Sequence, residues 1–357
     1  MSANPVIARG RASRSNASGR FEALARDSVD DGWGEDPLPD RLETTLTAEK
    51  ARVIISRNDS PDIGFDRSIN PYRGCEHGCI YCFARPTHAY LGLSPGLDFE
   101  TKLFFKPDAA ALLEKELGKR GYQAARIQLG ANTDPYQPIE RKLRITRQIL
   151  EVLARYKHPV AITTKNNLVT RDIDILAPMA AENLACVAIS VTTLDRKLAR
   201  SMEPRASTPE RRIDAIRALS QAGIPALVGF APAIPGLNDH EMETVLERAA
   251  EAGAVSAYFT VLRLPLEIKD LFREWLEAEF PDRAARVMSL MRQMRGGKDY
   301  DAEWGKRMRG EGPIAEMLAQ RMHLARRKYG LARDRLSLDV TKFRKPPEDR
   351  RQLELFD

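Results

Sequence analysis

Three of the chain's four cysteines, Cys75, Cys79 and Cys82, fall in the run Arg73-Gly74-Cys75-Glu76-His77-Gly78-Cys79-Ile80-Tyr81-Cys82. The spacing C-x3-C-x2-C puts three soft thiolate ligands on one short loop, which suits an iron–sulfur cluster or zinc. Three thiolates can hold three irons of a [4Fe–4S] cube and leave the fourth iron open to chelate a substrate or cofactor. Gly74 and Gly78 can take φ > 0 and wrap the loop around a compact object. Zinc is the rival, with His77 as a fourth ligand, although His77 between Cys75 and Cys79 is cramped beside zinc-finger spacings. A purely structural cluster of buried thiols fits poorly with a polar, Gly-rich loop. Cys186 opens an apolar run and reads as a core thiol.

Such a loop needs a rigid scaffold. Residues 67–71, 125–129, 160–164, 186–193, 226–231 and 257–264 read as strands. Amphipathic helical stretches lie between them, at 140–156, 171–181, 208–222 and 240–252. Pro209 suits a first helical turn, and Gly223 and Gly253 fall where helices stop. Alternating strands and helices imply an α/β fold with a parallel sheet, either doubly wound or barrel-like (β/α)6. In both, chemistry sits at the C-terminal strand ends, and the cysteine loop directly follows the first strand.

The chain has 357 residues, 43% of them hydrophobic, which excludes global disorder. No apolar stretch reaches membrane-spanning length, and the first residues lack a signal-peptide core, so a cytoplasmic protein without a membrane partner is expected. Residues 1–20 carry four arginines and no acid; 282–357 carry 19 basic against 12 acidic residues; the middle is net acidic. Basic ends suggest a polyanion such as nucleic acid, or else solvated faces. The expected organisation is a disordered arm (1–40), a core (41–281), a helical basic extension (282–345) and an extended tail (346–357). In the extension, a helix over 313–329 would bury Ile314, Leu318, Met322 and Ala325 and leave Arg321, Arg327 and Lys328 off the apolar stripe.

The cysteine spacing, with Tyr81 before the third Cys, resembles the signature of the radical S-adenosylmethionine (SAM) superfamily. Longer runs sharpen the resemblance: Ser68-Ile69-Asn70-Pro71-Tyr72-Arg73, Phe83-Ala84-Arg85-Pro86-Thr87-His88, Gly130-Ala131-Asn132-Thr133-Asp134-Pro135-Tyr136, Thr164-Lys165-Asn166-Asn167, Met202-Glu203-Pro204-Arg205 and Ile234-Pro235-Gly236-Leu237-Asn238-Asp239. These are similar to the spore-photoproduct-lyase-related, or DNA repair photolyase, group, including a subgroup with a basic C-terminal extension. The resemblance implies a partial, TIM-like (β/α)6 barrel. It implies one [4Fe–4S] cluster on Cys75, Cys79 and Cys82, with SAM chelating the open iron. Electron transfer from a flavodoxin- or ferredoxin-type donor would cleave SAM to a 5′-deoxyadenosyl radical that abstracts hydrogen from a substrate, with nucleic acid the leading class; the alternatives are a small molecule or peptide substrate, or a non-enzymatic iron–sulfur or zinc-binding module. One departure stands out. The lyase of that group uses a cysteine hydrogen donor downstream of the cluster, and no Cys lies between Cys82 and Cys186. Tyr90, Tyr136 and Tyr258 remain open as donors.

The resemblance also assigns SAM contacts. Asn132, Thr133 and Asp134 would meet the SAM amino group, or form an Asx turn before Pro135. Lys165 would meet the carboxylate or a substrate phosphate, or be a surface lysine. Ser190 and Thr192 suit the ribose; Arg205 would pair with the SAM carboxylate, or Glu203 and Arg205, which flank Pro204, would form a local ion pair. Tyr81 lies beside the cluster. The 234–236 turn would let backbone approach the adenine, and His88 would sit near the cluster. At the far end, Gln352-Leu353-Glu354-Leu355-Phe356 resembles the QL[SD]LF peptide by which bacterial proteins bind the replicative sliding clamp, with Leu353, Leu355 and Phe356 filling pockets and Gln352 at the rim. A tail folded back on the barrel is the alternative.

Overall fold

The computed structural model describes residues 10–22, 42–332 and 336–346. Six strands carry it: β1 (Arg67–Ile69), β2 (Ile127–Leu129), β3 (Val160–Thr164), β4 (Ala185–Ser190), β5 (Ala226–Ala233) and β6 (Ser256–Val261). They pair in sequence order, each parallel to the next, and an antiparallel strand, Ile55–Arg57, extends the β1 edge. A doubly wound sheet reverses its strand order midway; this one never does, so its crossovers stay on one face and the sheet curls. β1 and β6 do not pair, and the result is an open, partial barrel.

Alternation along each strand sorts the two faces. In β3, Val160, Ile162 and Thr164 are buried on one face, while Ala161 and Thr163 alternate with them. Ala161 belongs to a small apolar cluster with Cys186 and Leu338, so Cys186 is a core thiol well away from the loop.

Several elements depart from the sequence reading. The helix expected at 140–156 is two, Glu140–Leu143 and Ile145–Arg155, separated by Arg144 at φ 53. The Glu140 carboxylate spans the break, accepting from the Thr146 amide at 3.0 Å in the first turn of the second helix. The helix expected from 171 is preceded by a 3₁₀ turn, Asn167–Asp172, and runs Ile173–Ala181. A small sheet was not anticipated. Its strands are Thr45–Ala48, Lys102–Phe105 and Tyr72–Arg73, the last leading straight into the cysteine loop.

The arm also differs from expectation. Residues 10–22, read as disordered from composition, lie across the protein, with Arg11, Ala12 and Ser13 buried. Arg11 donates to the Glu100 carbonyl at 2.7 Å, and the Ala12 and Ser13 amides donate to the Glu100 carboxylate. Arg14 and Arg20 pair with Glu279 and Glu267. Few apolar residues are needed when buried carboxylates hold a strap by charge and hydrogen bonds.

The extension contains the helices Pro281–Gln293 and Gly312–Lys328. The latter buries Leu318, Met322 and Ala325 as expected, together with Ala315. Arg321 is not free for a polyanion: it pairs with Glu243 at 2.6 Å and Asp239 at 3.6 Å, fastening the helix to the barrel. Beyond it, Ala332 bridges to Ser256 at the start of β6, Asn183 donates to Ser337, and the Arg344 amide donates to Tyr156. The segment therefore crosses the N-terminal strand ends. No helix among the described residues is long and apolar enough to cross a membrane. The clamp-like residues Gln352, Leu353, Leu355 and Phe356 lie outside the described residues.

Candidate functional site

The cysteine loop leaves the Tyr72–Arg73 strand beyond the C-terminal end of β1. Gly74 and Gly78 have φ 74 and 64; a Cβ on Gly78 would stand 2.6 Å from the Glu100 carboxylate, so only glycine fits. Short turns shape the loop: Gly78 N donates to Cys75 O, and Cys82 N to Cys79 O. Arg85 anchors it from beneath. Fully buried, it donates to the carbonyls of Gly78, Cys79, Pro95 and Gly96 and pairs with Glu100. The sequence gives Arg85 no evident role. Its partners are scattered over residues 78–100, and nothing local announces a buried pair.

Cys75 and Cys79 are buried and Cys82 half-buried. Burial pushes the Cys75 thiol well above its ordinary range, with Asp134 and the other two thiols adding to it. Burial likewise raises Cys79, with Glu203 adding, and Cys82. Thiols in such surroundings ionise only with a cation to hold the charge, which a metal centre supplies.

His77 does not complete a zinc site. Its Nδ1 lies 3.3 Å from Asp134 Oδ2, and its Nε2 faces the Asn166 amide at 3.2 Å, so both ring nitrogens are engaged. No group of three His, Cys, Asp or Glu among the described residues is close enough to chelate one ion. With His77 engaged elsewhere, Cys75, Cys79 and Cys82 are the soft donors that the loop offers.

The other expected residues divide into two groups. Asp134, Thr133, Glu203 and Thr192 are structural partners within the site. Asp134 accepts from Thr164 Oγ1 (2.7 Å), Tyr136 N (2.9 Å) and Lys165 N (2.8 Å) as well as facing His77. Burial would raise its pKa, but His77 and these donors outweigh it and bring it to about 2. Thr133 donates to Tyr72 O, tying the loop after β2 to the strand before Cys75. Glu203 is buried and accepts from Tyr81, Thr192 and Arg212; burial opposes its charge, and Arg212 and Lys165 prevail and lower its pKa. Tyr81 thereby joins the loop to the end of β4. Arg212, missed in the sequence, also donates to the carbonyls of Ser190 and Ser207.

The second group has capacity to spare. The Asn132 side chain makes no hydrogen bond among the described residues, although its backbone amide donates to the Asn70 side-chain oxygen at 3.0 Å. Lys165 follows β3 with its ammonium 5.9 Å from the Tyr81 ring centroid and no hydrogen-bond acceptor among the described residues. Burial would discharge it, but Cys79, Glu203 and Asp134 keep its pKa raised. Arg205 pairs with Glu76 at 3.2 Å, half-exposed. Ser190, Gly229 and Tyr258 are in register across β4, β5 and β6. A Cβ on Gly229 would stand 2.7 Å from the Tyr258 ring. Of the three tyrosines, Tyr90 is exposed and Tyr136 is buried against Asp172. The 234–238 turn is closed by Asn238, which accepts from Ile234 N and donates to Thr192 O. His88 is buried, bonded to Lys102 O through Nε2, with Nδ1 unpartnered.

An open, sequentially wound α/β barrel with a three-thiol loop after its first strand defines the class. Residues 69–249 match the radical SAM superfamily, and the chain belongs to it and is an enzyme of that superfamily. It is 36% identical over 231 residues to an uncharacterised protein of Mycobacterium tuberculosis, covering 64% of this chain and 68% of that protein. It is 27% identical over 233 residues to an uncharacterised protein of Methanocaldococcus jannaschii, covering 65% and 83%. Its fold is similar to spore photoproduct lyase complexed with dinucleoside spore photoproduct, with TM-score 0.55 and 16% identity over 80% of this chain and 79% of that one.

Proposed function

We propose that Cys75, Cys79 and Cys82 hold a [4Fe–4S] cluster and that SAM binds beside it across the C-terminal strand ends. When bound, the cluster supplies an electron that cleaves SAM reductively, giving the radical chemistry of the superfamily. The observation carrying this reading is the Lys165 ammonium, held charged beside Tyr81 and Cys79 with no acceptor of its own. A half-buried cation without a hydrogen-bond acceptor suits the SAM carboxylate. Asn132 has a free carboxamide for the amino group, and Arg205 can exchange Glu76 for an anionic ligand. Ser190 and Thr192 line the route to the ribose. Asp134 and Glu203 act by positioning: their acceptors already serve His77, Thr164, Tyr81 and Arg212. The partner this requires is a one-electron donor of flavodoxin or ferredoxin type.

The substrate class we assign is nucleic acid. Arg141, Arg196, Arg205 and Arg211 line one recess with Asn166 and Asn167, on the face that holds the cysteine loop. Arg141 and Arg211 have no carboxylate partner among the described residues, which leaves the recess cationic. The fold likeness to a lyase crystallised with a dinucleoside points the same way. The test is anaerobic reconstitution with iron and sulfide, then dithionite and SAM. 5′-Deoxyadenosine and methionine are the expected products. A fully iron-loaded protein that leaves SAM intact would refute the reading.

A further inference from the structure

Where the barrel stays open, the loop after Cys82 meets the segment after β6. Among the described residues, ten large apolar side chains are exposed, and four of them, Phe21, Phe83, Tyr90 and Leu266, gather along this seam. Scattered exposed apolar residues need no explanation, but a row of aromatic ones does. Each aromatic group carries an arginine. The Arg263 guanidinium lies 5.0 Å from the Phe83 ring centroid, and Arg20 lies 5.3 Å from Phe21 and 5.9 Å from Tyr90, whose rings are 5.2 Å apart. Arg20 is paired with Glu267, which fixes the Phe21–Tyr90 pair beside Leu266. Leu266 itself is held at φ 55, a strained conformation for a non-glycine residue.

Arg263 is the unexplained member. It makes no ion pair among the described residues; its Nε is buried without a partner, and its one hydrogen bond goes to the weak acceptor Met308 Sδ at 3.4 Å. An exposed ring under an arginine that makes no ion pair among the described residues matches a ligand with a planar face and a negative charge. Phe83 directly follows the ligand Cys82, so such a ligand would lie at the threshold of the strand ends.

We infer that this seam is a stacking surface for unpaired nucleotides, with bases on Phe83 and Tyr90 and a phosphate on Arg263. The inference rests on the nucleic-acid reading above and adds the strand's path and state. Bases stack on any aromatic face, and guanidinium matches phosphate in a planar fork. In a duplex those base faces are covered, so the surface selects single strands.

The test is fluorescence anisotropy of labelled oligothymidylate on the full-length, iron-reconstituted protein, with iron content as the check that each variant is intact. Tyr90→Ala and Phe83→Ala should each weaken binding by about fivefold or more, the loss of one stacked base. Phe83→Trp should restore it, and Arg263→Gln should lower the salt slope by about one. If the wild type binds and both alanine variants bind as tightly, the seam is wrong while the nucleic-acid reading stands. If a duplex, or an acidic aromatic peptide, binds as tightly as the single strand, the assignment to unpaired nucleotides fails. If the wild type binds neither single strand nor duplex, the nucleic-acid reading itself fails.

Discussion

The two ends of the barrel are built from the same strands and hold opposite contents. At the C-terminal ends, Lys165, Glu203, Arg212 and Asp134 bring charge among three thiols. At the N-terminal ends, Ala161, Cys186 and Leu338 form an apolar plug with Leu227 and Leu336, and Phe343 packs on Tyr122, Tyr156 and His158. Burying charges is costly unless they are paired, so a fold that concentrates them at one end keeps them for chemistry, and the dry end supplies the stability. The basic extension contributes to the dry end, a role its charge did not suggest.

The largest break in this contrast should come from the anchor beneath the loop. Arg85→Ala leaves Glu100 buried without its cation and should cost about 3–5 kcal/mol, with iron content falling alongside. Denaturant unfolding and iron analysis check it; wild-type stability in that variant would deny Arg85 its anchoring role. At the other end, Leu338→Ala should cost about 2–5 kcal/mol while SAM cleavage per folded chain stays unchanged. A selective loss of cleavage would mean the two ends are coupled.

A smaller effect separates them by pH. Burial lowers His158 to about 4, with its Nε2 facing the Tyr122 hydroxyl at 2.9 Å. The unfolded chain takes up this proton first, near the ordinary histidine value of about 6.5. Stability is therefore fully present above that pH and is lost as pH falls towards 4, by at most about 3 kcal/mol. His158→Gln should flatten that slope in unfolding measured from neutral to acid pH; an unchanged slope would mean other groups carry it. The smallest effect is the most discriminating for nucleic acid. Arg321→Gln, its cation already spent on Glu243 and Asp239, should leave the salt slope of oligonucleotide binding unaltered, whereas Arg141→Gln should lower it by about one. A drop for Arg321 would return its helix to the interface.

β3 to β6 were legible as mostly apolar runs between turn residues, and β3 has the expected bounds to the residue. The sequence places the three thiols on one loop after the first strand, and the structure has them there. What could not be read were pairings at a distance. Arg85 needs Glu100 and the strap at 10–22; Arg212 needs Glu203; and Asp134 is engaged by His77 from another loop. Composition read the strap as disordered because it is held by hydrogen bonds and ion pairs to the carboxylates of Glu100, Glu267 and Glu279 rather than by an apolar period. Arg321 looked solvent-facing because its acidic partners lie about 80 residues earlier in the chain.

The central claim is that Cys75, Cys79 and Cys82 hold one cluster with an iron open to SAM. It is tested most directly by electron paramagnetic resonance of the reconstituted, dithionite-reduced protein with and without SAM. The account predicts a cluster signal that changes when SAM is added and that disappears in Cys75→Ala, Cys79→Ala or Cys82→Ala but persists in Cys186→Ala. A signal indifferent to SAM, or a full cluster in any of the three loop variants, would contradict it.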